Sequence, residues 1–158
     1  EQLDPELNWG DVEWIKKRWG GKLILKGIMD AEDARLAVDS GADALIVSNH
    51  GGRQLDGAPS SIAALPAIAE AVGKDIEVWM DGGIRSGQDV LKARALGARG
   101  TLIGRSFLYG LGAYGEAGVT RALQIIQKEL DITMAFCGHT NINTVDRGIL
   151  LPGTYPLA

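Results

Sequence analysis

The chain has 158 residues, 46% of them hydrophobic and 23% charged, with a formal net charge of −4 at pH 7. That length and apolar content build one domain with a real core and exclude a disordered chain. Mixed charges give no basic stripe for nucleic acid, and apolar runs such as Leu23–Leu25 and Ala44–Val47 fall far short of the roughly 20 residues that cross a bilayer.

The start, Glu1-Gln2-Leu3-Asp4-Pro5, lacks the basic and apolar pattern of a secretory signal, and its lack of Met points to a processed or cleaved polypeptide. Residues 8–19 read as a helix, with Asn8 as cap and Val12, Ile15 and Trp19 on one face. Lys22–Lys26 reads as a strand, Ala31–Ser40 as a helix and Ala44–Ser48 as a second strand. The same alternation continues with a helix at Ser60–Val72, a strand at Glu77–Met80, a helix at Ser86–Leu96 and a strand at Gly100–Ile103. A longer amphipathic helix spans Glu116–Leu130, and from Gly138 onward Thr, Asn, Gly and Pro give a loop-like tail that crosses a neighbouring surface.

Near-continuous apolar strands alternating with amphipathic helices give an α/β fold with a parallel sheet, because each crossover must cover the sheet with a helix. Two helices run into the next strand through similar phrases, Ser40-Gly41-Ala42 and Leu96-Gly97-Ala98, where glycine suits a left-handed C-cap. Such repeats fit a (β/α) barrel and equally a flavodoxin-like open sheet. A barrel needs about eight strands; four are visible, so that reading requires an N-terminal half outside this sequence.

The densest polar cluster follows the second strand: Ser48-Asn49-His50-Gly51-Gly52-Arg53-Gln54-Leu55-Asp56. A lone histidine is usually structural, but here two glycines permit close backbone approach and Arg53 offers a planar fork for a carboxylate. A base beside a carboxylate clamp implies proton abstraction next to an acid group. Two further loops, Met80-Asp81-Gly82-Gly83-Ile84-Arg85-Ser86-Gly87 and Leu102-Ile103-Gly104-Arg105-Ser106, combine glycine amides, a helix start and a cation, which is how phosphate is held. Asp-Gly-Gly alone is an ordinary turn; its pairing with Gly104-Arg105 one βα unit later makes the phosphate reading the stronger one.

The Ser48–Asp56 segment resembles the active-site signature of the FMN-dependent 2-hydroxy-acid oxidising family, which includes glycolate oxidase, lactate and mandelate dehydrogenases and flavocytochrome b2. The likeness runs from about Leu7 to about Ala135. It implies that residues 1–158 form the C-terminal half of a (β/α)8 TIM barrel that binds FMN and oxidises a small 2-hydroxy acid to the 2-keto acid. His50 would take the substrate's proton, Arg53 would bind its carboxylate, and Ser48 would lie against the flavin. Asp81, Gly82, Gly83, Ile84, Arg85, Gly104 and Arg105 would hold the ribityl chain and phosphate. Lys26, in Leu-Lys-Gly, matches the family's flavin-facing lysine, which places positive charge where the reduced flavin becomes anionic. The residue that orients the histidine, and the tyrosines beside the substrate, would come from the N-terminal half.

The resemblance also implies a homo-oligomer, a tetramer, and membrane association through a segment outside this chain. Cys137, the only cysteine, excludes an internal disulfide, so a cytoplasmic setting is expected, to which the resemblance adds a peripheral place at the inner membrane. Two rivals remain: another phosphate-binding flavin barrel of the IMP-dehydrogenase kind, which would not need His-Gly-Gly-Arg, and a non-catalytic FMN-binding half-barrel. Cys137 and His139 are too few for a zinc site. Trp9, Trp14, Trp19 and Trp79 read as packing residues, Trp79 inside the barrel, and Arg121, Lys128 and Glu129 as a solvated helix face.

Overall fold

The computed structural model describes residues 6–155. The expected helix before the first strand is α1, Trp9–Trp19, opened by a capping box in which Asn8 and Asp11 each accept the other's backbone amide. Strands β1 (Ile24–Ile28), β2 (Ala44–Val47), β3 (Glu77–Met80) and β4 (Gly100–Thr101) alternate with α2 (Ala31–Asp39), α3 (Ser61–Val72) and α4 (Gly87–Ala95). A long helix, α5 (Arg105–Phe136), follows β4, and the tail holds two short 3-10 turns at Ile142–Thr144 and Arg147–Ile149.

The four strands are parallel and lie side by side in chain order, β1-β2-β3-β4. Right-handed crossovers that always step in one direction put every helix on one face of the sheet. A flavodoxin-like sheet would reverse its strand order partway and carry helices on both faces, so the winding is that of a (β/α)8 barrel, of which these are four units.

Side chains alternate accordingly. Leu45, Val47, Val78 and Met80 are buried under the helices in one cluster with Ala34, Ala37, Leu65, Ile68, Val72, Ala93 and Leu96. Their neighbours Ile24, Lys26, Ile46, Glu77 and Trp79 face the other way, as period-two pleating requires. That second face is only partly covered: Ile24 is 54% exposed and Trp79 half-buried, its indole donating to Glu77 Oε2 at 2.9 Å. The placement of Trp79 away from the helices matches the sequence expectation.

Several boundaries differ from those expected. The first strand lies two residues later than Lys22–Lys26, because Leu23 already serves as a hydrogen-bonding residue at the strand's entrance. The fourth pairs only at Gly100–Thr101, since an edge strand with one neighbour has little to extend its ladder. The Glu116–Leu130 helix is the middle of α5, which turns sharply at Tyr114 and Gly115 (φ 59°). At that turn Gly110 and Gly118 meet backbone to backbone, where a Cβ on Gly118 would lie 1.8 Å from the Gly110 oxygen. Both Gly-Ala junctions close as expected: Gly41 and Gly97 adopt φ of 84° and 109°, and the amides of Ala42 and Ala98 reach back to the carbonyls of Ala37 and Ala93.

At the opposite end from the site, Asp43 ties α1 to the sheet by accepting from Lys16, from Lys22 and from the Leu23 amide. These donors, Lys16 foremost, hold its carboxyl well below the ordinary carboxylate range. A depressed folded-state pKa stabilises above the unfolded value of about 3.9 and loses that contribution as pH falls further. Asp43→Asn should therefore lower the melting temperature at pH 7, and the gap from wild type should narrow as pH drops below about 4. A pH-independent gap in thermal melts would refute this account.

Candidate active site

Parallel strands in order place all four C-terminal strand tips on one rim, and an open cleft of about 940 Å³ lies there. That volume is at the upper end for small-molecule sites. The cleft is lined by Lys26, His50, Arg53, Asp81, Gly82, Gly83, Ile84, Arg85, Gly104 and Arg105, which are the sequence-predicted residues except Ser48. Four cationic side chains and two carboxylates, Asp56 and Asp81, line it, so the cleft is net positive in a chain of net charge −4.

The floor is a polar triad on the sheet face away from the helices. Lys26 Nζ donates to Ser48 Oγ at 2.8 Å and pairs with Asp81 Oδ2 at 3.1 Å. Ser48 is fully buried and lies beneath the cleft instead of on its wall; its hydroxyl also accepts from the His50 amide at 3.2 Å. Ser48, expected against the flavin, fixes Lys26 and the start of the histidine turn. Asp81 Oδ1 is buried without a hydrogen-bond partner, an acceptor that costs stability until a donor arrives.

After β2 the chain tightens into a 3-10 turn, His50–Gly52, in which His50 takes a left-handed φ of 56°. Asn49 stabilises the turn: its Oδ1 accepts from the Gly51 amide at 3.0 Å and its Nδ2 donates to the Pro59 carbonyl at 3.2 Å. The Asn49 amide donates to the buried Ser61 Oγ at 3.2 Å, anchoring the turn to α3. From the other side Arg105 Nη2 donates to the Gly51 carbonyl at 3.0 Å. Among the described residues, the guanidinium groups of Arg53 and Arg85 have no hydrogen-bond or ion-pair partner, leaving two free forks in the cleft.

The two loops expected to hold phosphate differ in what they leave open. Helix α4 has most of its N-terminal amides engaged: Ser86 accepts from Asp89 N, Asp89 accepts from the Arg85 and Ser86 amides, and Glu129 Oε2 accepts from Gly87 N at 3.0 Å. Glu129 is thus no solvated side chain, a correction to the sequence reading. Helix α5 begins at Gly104 with no side-chain cap, and a Cβ at Gly83 or Gly104 would meet open space. The α5 start is therefore the less occupied of the two helix termini, and Arg85 and Arg105 line the cleft beside it. Ser106 Oγ donates to the Ile84 carbonyl at 2.9 Å and joins the two loops, while the Ile84 side chain packs in the core.

This donor set fits FMN. The orphaned Asp81 oxygen suits a ribityl hydroxyl, and the uncapped helix start with two arginines suits a monophosphate. Sequence reasoning gave no role to Gly27, Asn49, Ser61, Ser106 or Glu129. Gly27, Asn49 and Ser106 stood inside quoted motifs; the contacts of Gly27, Ser61, Ser106 and Glu129 span 12 to 42 residues of sequence, which local pattern does not reveal.

The profile of the family described as FMN-dependent dehydrogenase matches residues 1–152. An L-lactate dehydrogenase from Caulobacter sp. (strain K31) is 54% identical over 148 residues, covering 94% of this chain and 39% of that protein. One from Pseudomonas putida (strain GB-1) is 52% identical over 149 residues, with the same coverage of each. Mandelate oxidase solved with benzoyl-formic acid superposes with a TM-score of 0.86 at 45% identity, over 89% of this chain and 42% of that one. A mandelate oxidase mutant carrying a monooxide FMN adduct aligns with the same score and identity, over 45% of its length. The chain thus spans well under half the length of the relatives it matches. The sequence, the winding of the sheet and the cradle agree: this chain belongs to the FMN-dependent dehydrogenase family, and its cofactor is FMN.

Proposed function

We propose that residues 1–158 form the C-terminal, FMN-holding half of a barrel that oxidises a 2-hydroxy acid to the 2-keto acid, with His50 as base and Arg53 as carboxylate clamp. The observation that carries this reading is the partnerless Arg53 fork in the same cleft as the His50 imidazole and the uncapped phosphate cradle. L-lactate dehydrogenases and mandelate oxidase among the relatives support the 2-hydroxy-acid class.

Arg53 would take both carboxylate oxygens in its planar fork, which fixes the substrate's α-carbon relative to the cleft floor. His50 would then accept a proton from the carbinol group as the α-carbon is oxidised to a ketone. Bound FMN supplies the two-electron acceptor. Lys26, steadied by Ser48 and Asp81, keeps a positive charge on the floor where negative charge develops, and being already oriented it need not reorganise. Ion pairing with Asp81 also keeps this lysine from folding out to solvent.

Activity requires the complementary barrel half, because β1 and β4 are open edges and one side of the cleft has no wall. The test uses the FMN-loaded full-length protein, mixed anaerobically with lactate, glycolate or mandelate. Bleaching of the flavin absorbance by at least one acid, and none by the matching amide, is the expected result. A flavin that stays oxidised with all three acids would exclude the reading.

A further inference from the structure

The β1–β2 pairing slips at one point: Lys26 pairs with Ile46 but Ile28 pairs with Val47, so Gly27 is an extra residue in a bulge. The slip has two effects. It turns Ile28 toward the helix-side core, where it packs against the main cluster, and leaves Lys26 on the cleft floor. It also sets Gly27 at φ 103°, with its α-carbon turned toward the His50 ring. A Cβ built there would stand 2.7 Å from His50 Cε1, 3.3 Å from Nε2 and 3.8 Å from Nδ1. All three contacts are to the imidazole.

We propose that the Gly27 bulge is the seat of the catalytic imidazole, a positioning residue that holds His50 by admitting its ring against bare backbone. The proposal rests on the function assigned above. His50 has left-handed backbone, and among the described residues no side-chain hydrogen bond restrains its ring. Within this chain, the bare backbone of Gly27 is a surface against which the ring lies, and that contact limits where the ring can sit. A methyl group at that position removes the space the ring occupies, so the ring must swing away while the Asn49-held turn that leads to Arg53 is left untouched.

The test is a double-mutant cycle in the FMN-loaded holoenzyme with Gly27→Ala, His50→Ala and both together. Gly27→Ala should slow anaerobic flavin reduction by about 10²-fold, the scale of an ångström-level misplacement, with KM near wild type. In the His50→Ala background the same substitution should cost no further rate, because there is no ring left to displace. Thermal melts give a readout independent of turnover: truncating His50 should restore part of the stability that Gly27→Ala removes. Additive rate losses, or an unchanged rate in Gly27→Ala, would overturn the seat while leaving His50 as base. Should His50→Ala reduce its flavin as fast as wild type, the base assignment itself falls, and the seat with it. If Gly27→Ala does not fold, folding of the double variant supports the seat, and failure of both overturns it by assigning the glycine to backbone strain alone.

Discussion

His50→Ala slows flavin reduction by a 2-hydroxy acid by roughly 10²–10⁴-fold, the range that a positioned general base contributes. FMN content should stay at the wild-type level, since Asp81, Arg85 and Arg105 are untouched and no hydrogen bond or ion pair joins the imidazole to them. Substrate affinity should change little, because Arg53 supplies the carboxylate contact. Stopped-flow reduction measured over a range of substrate concentrations separates these quantities. A variant that loses flavin, or one that fails to bind substrate while reducing at the normal limiting rate, would place His50 in binding and not in proton transfer.

Gly87→Ala should be among the most damaging single methyl groups in the protein. A Cβ there would lie 2.0 Å from Leu130 N, 2.5 Å from the Glu129 carbonyl carbon and 2.6 Å from the Ile126 oxygen. All three are backbone atoms of α5, so no rotamer change relieves the clash. The two helices must separate, which also breaks the 3.0 Å bond from Gly87 N to the Glu129 carboxylate. The expected loss is about 3 kcal/mol, the upper end for overpacking, equivalent to a fall in melting temperature of roughly 10 °C. Gly57→Ala is the control: nothing lies within 4 Å of its added methyl, so it should melt within about 0.5 kcal/mol of wild type. Equal melting of the two variants would contradict the close approach of α4 and α5.

Much of this was written in the sequence where the determinant is local. Asn8 with Asp11, and Ser86 with Asp89, are capping boxes legible at a spacing of three, and both open helices where expected. The His50, Asp81 and Gly104 loops were legible because each follows an apolar run and carries its polar residues in one burst. The choice between barrel and open sheet was not legible, since helix and strand periods are the same in both; the strand order decides it. Gly27 could not be singled out, because a bulge exists only relative to the partner strand. Glu129 was misread because its amide partner lies 42 residues away on another helix. The start of α5, from its N-cap Gly104 to the bend at 114–115, carries four glycines at 104, 110, 112 and 115, which masks the helical pattern.

The bend in α5 has a mechanical consequence. Its first arm begins with Arg105 and Ser106 at the cradle, and its second arm carries Glu129 to the base of α4, directly behind the Asp81–Arg85 loop. One doubled-back rod thus braces both walls of the anion pocket, locked at its elbow by the Gly110–Gly118 crossing. The two walls are geared together, so a shift that widened the pocket on one side would drag the other along, and the spacing between the two arginines is set by a joint remote from either.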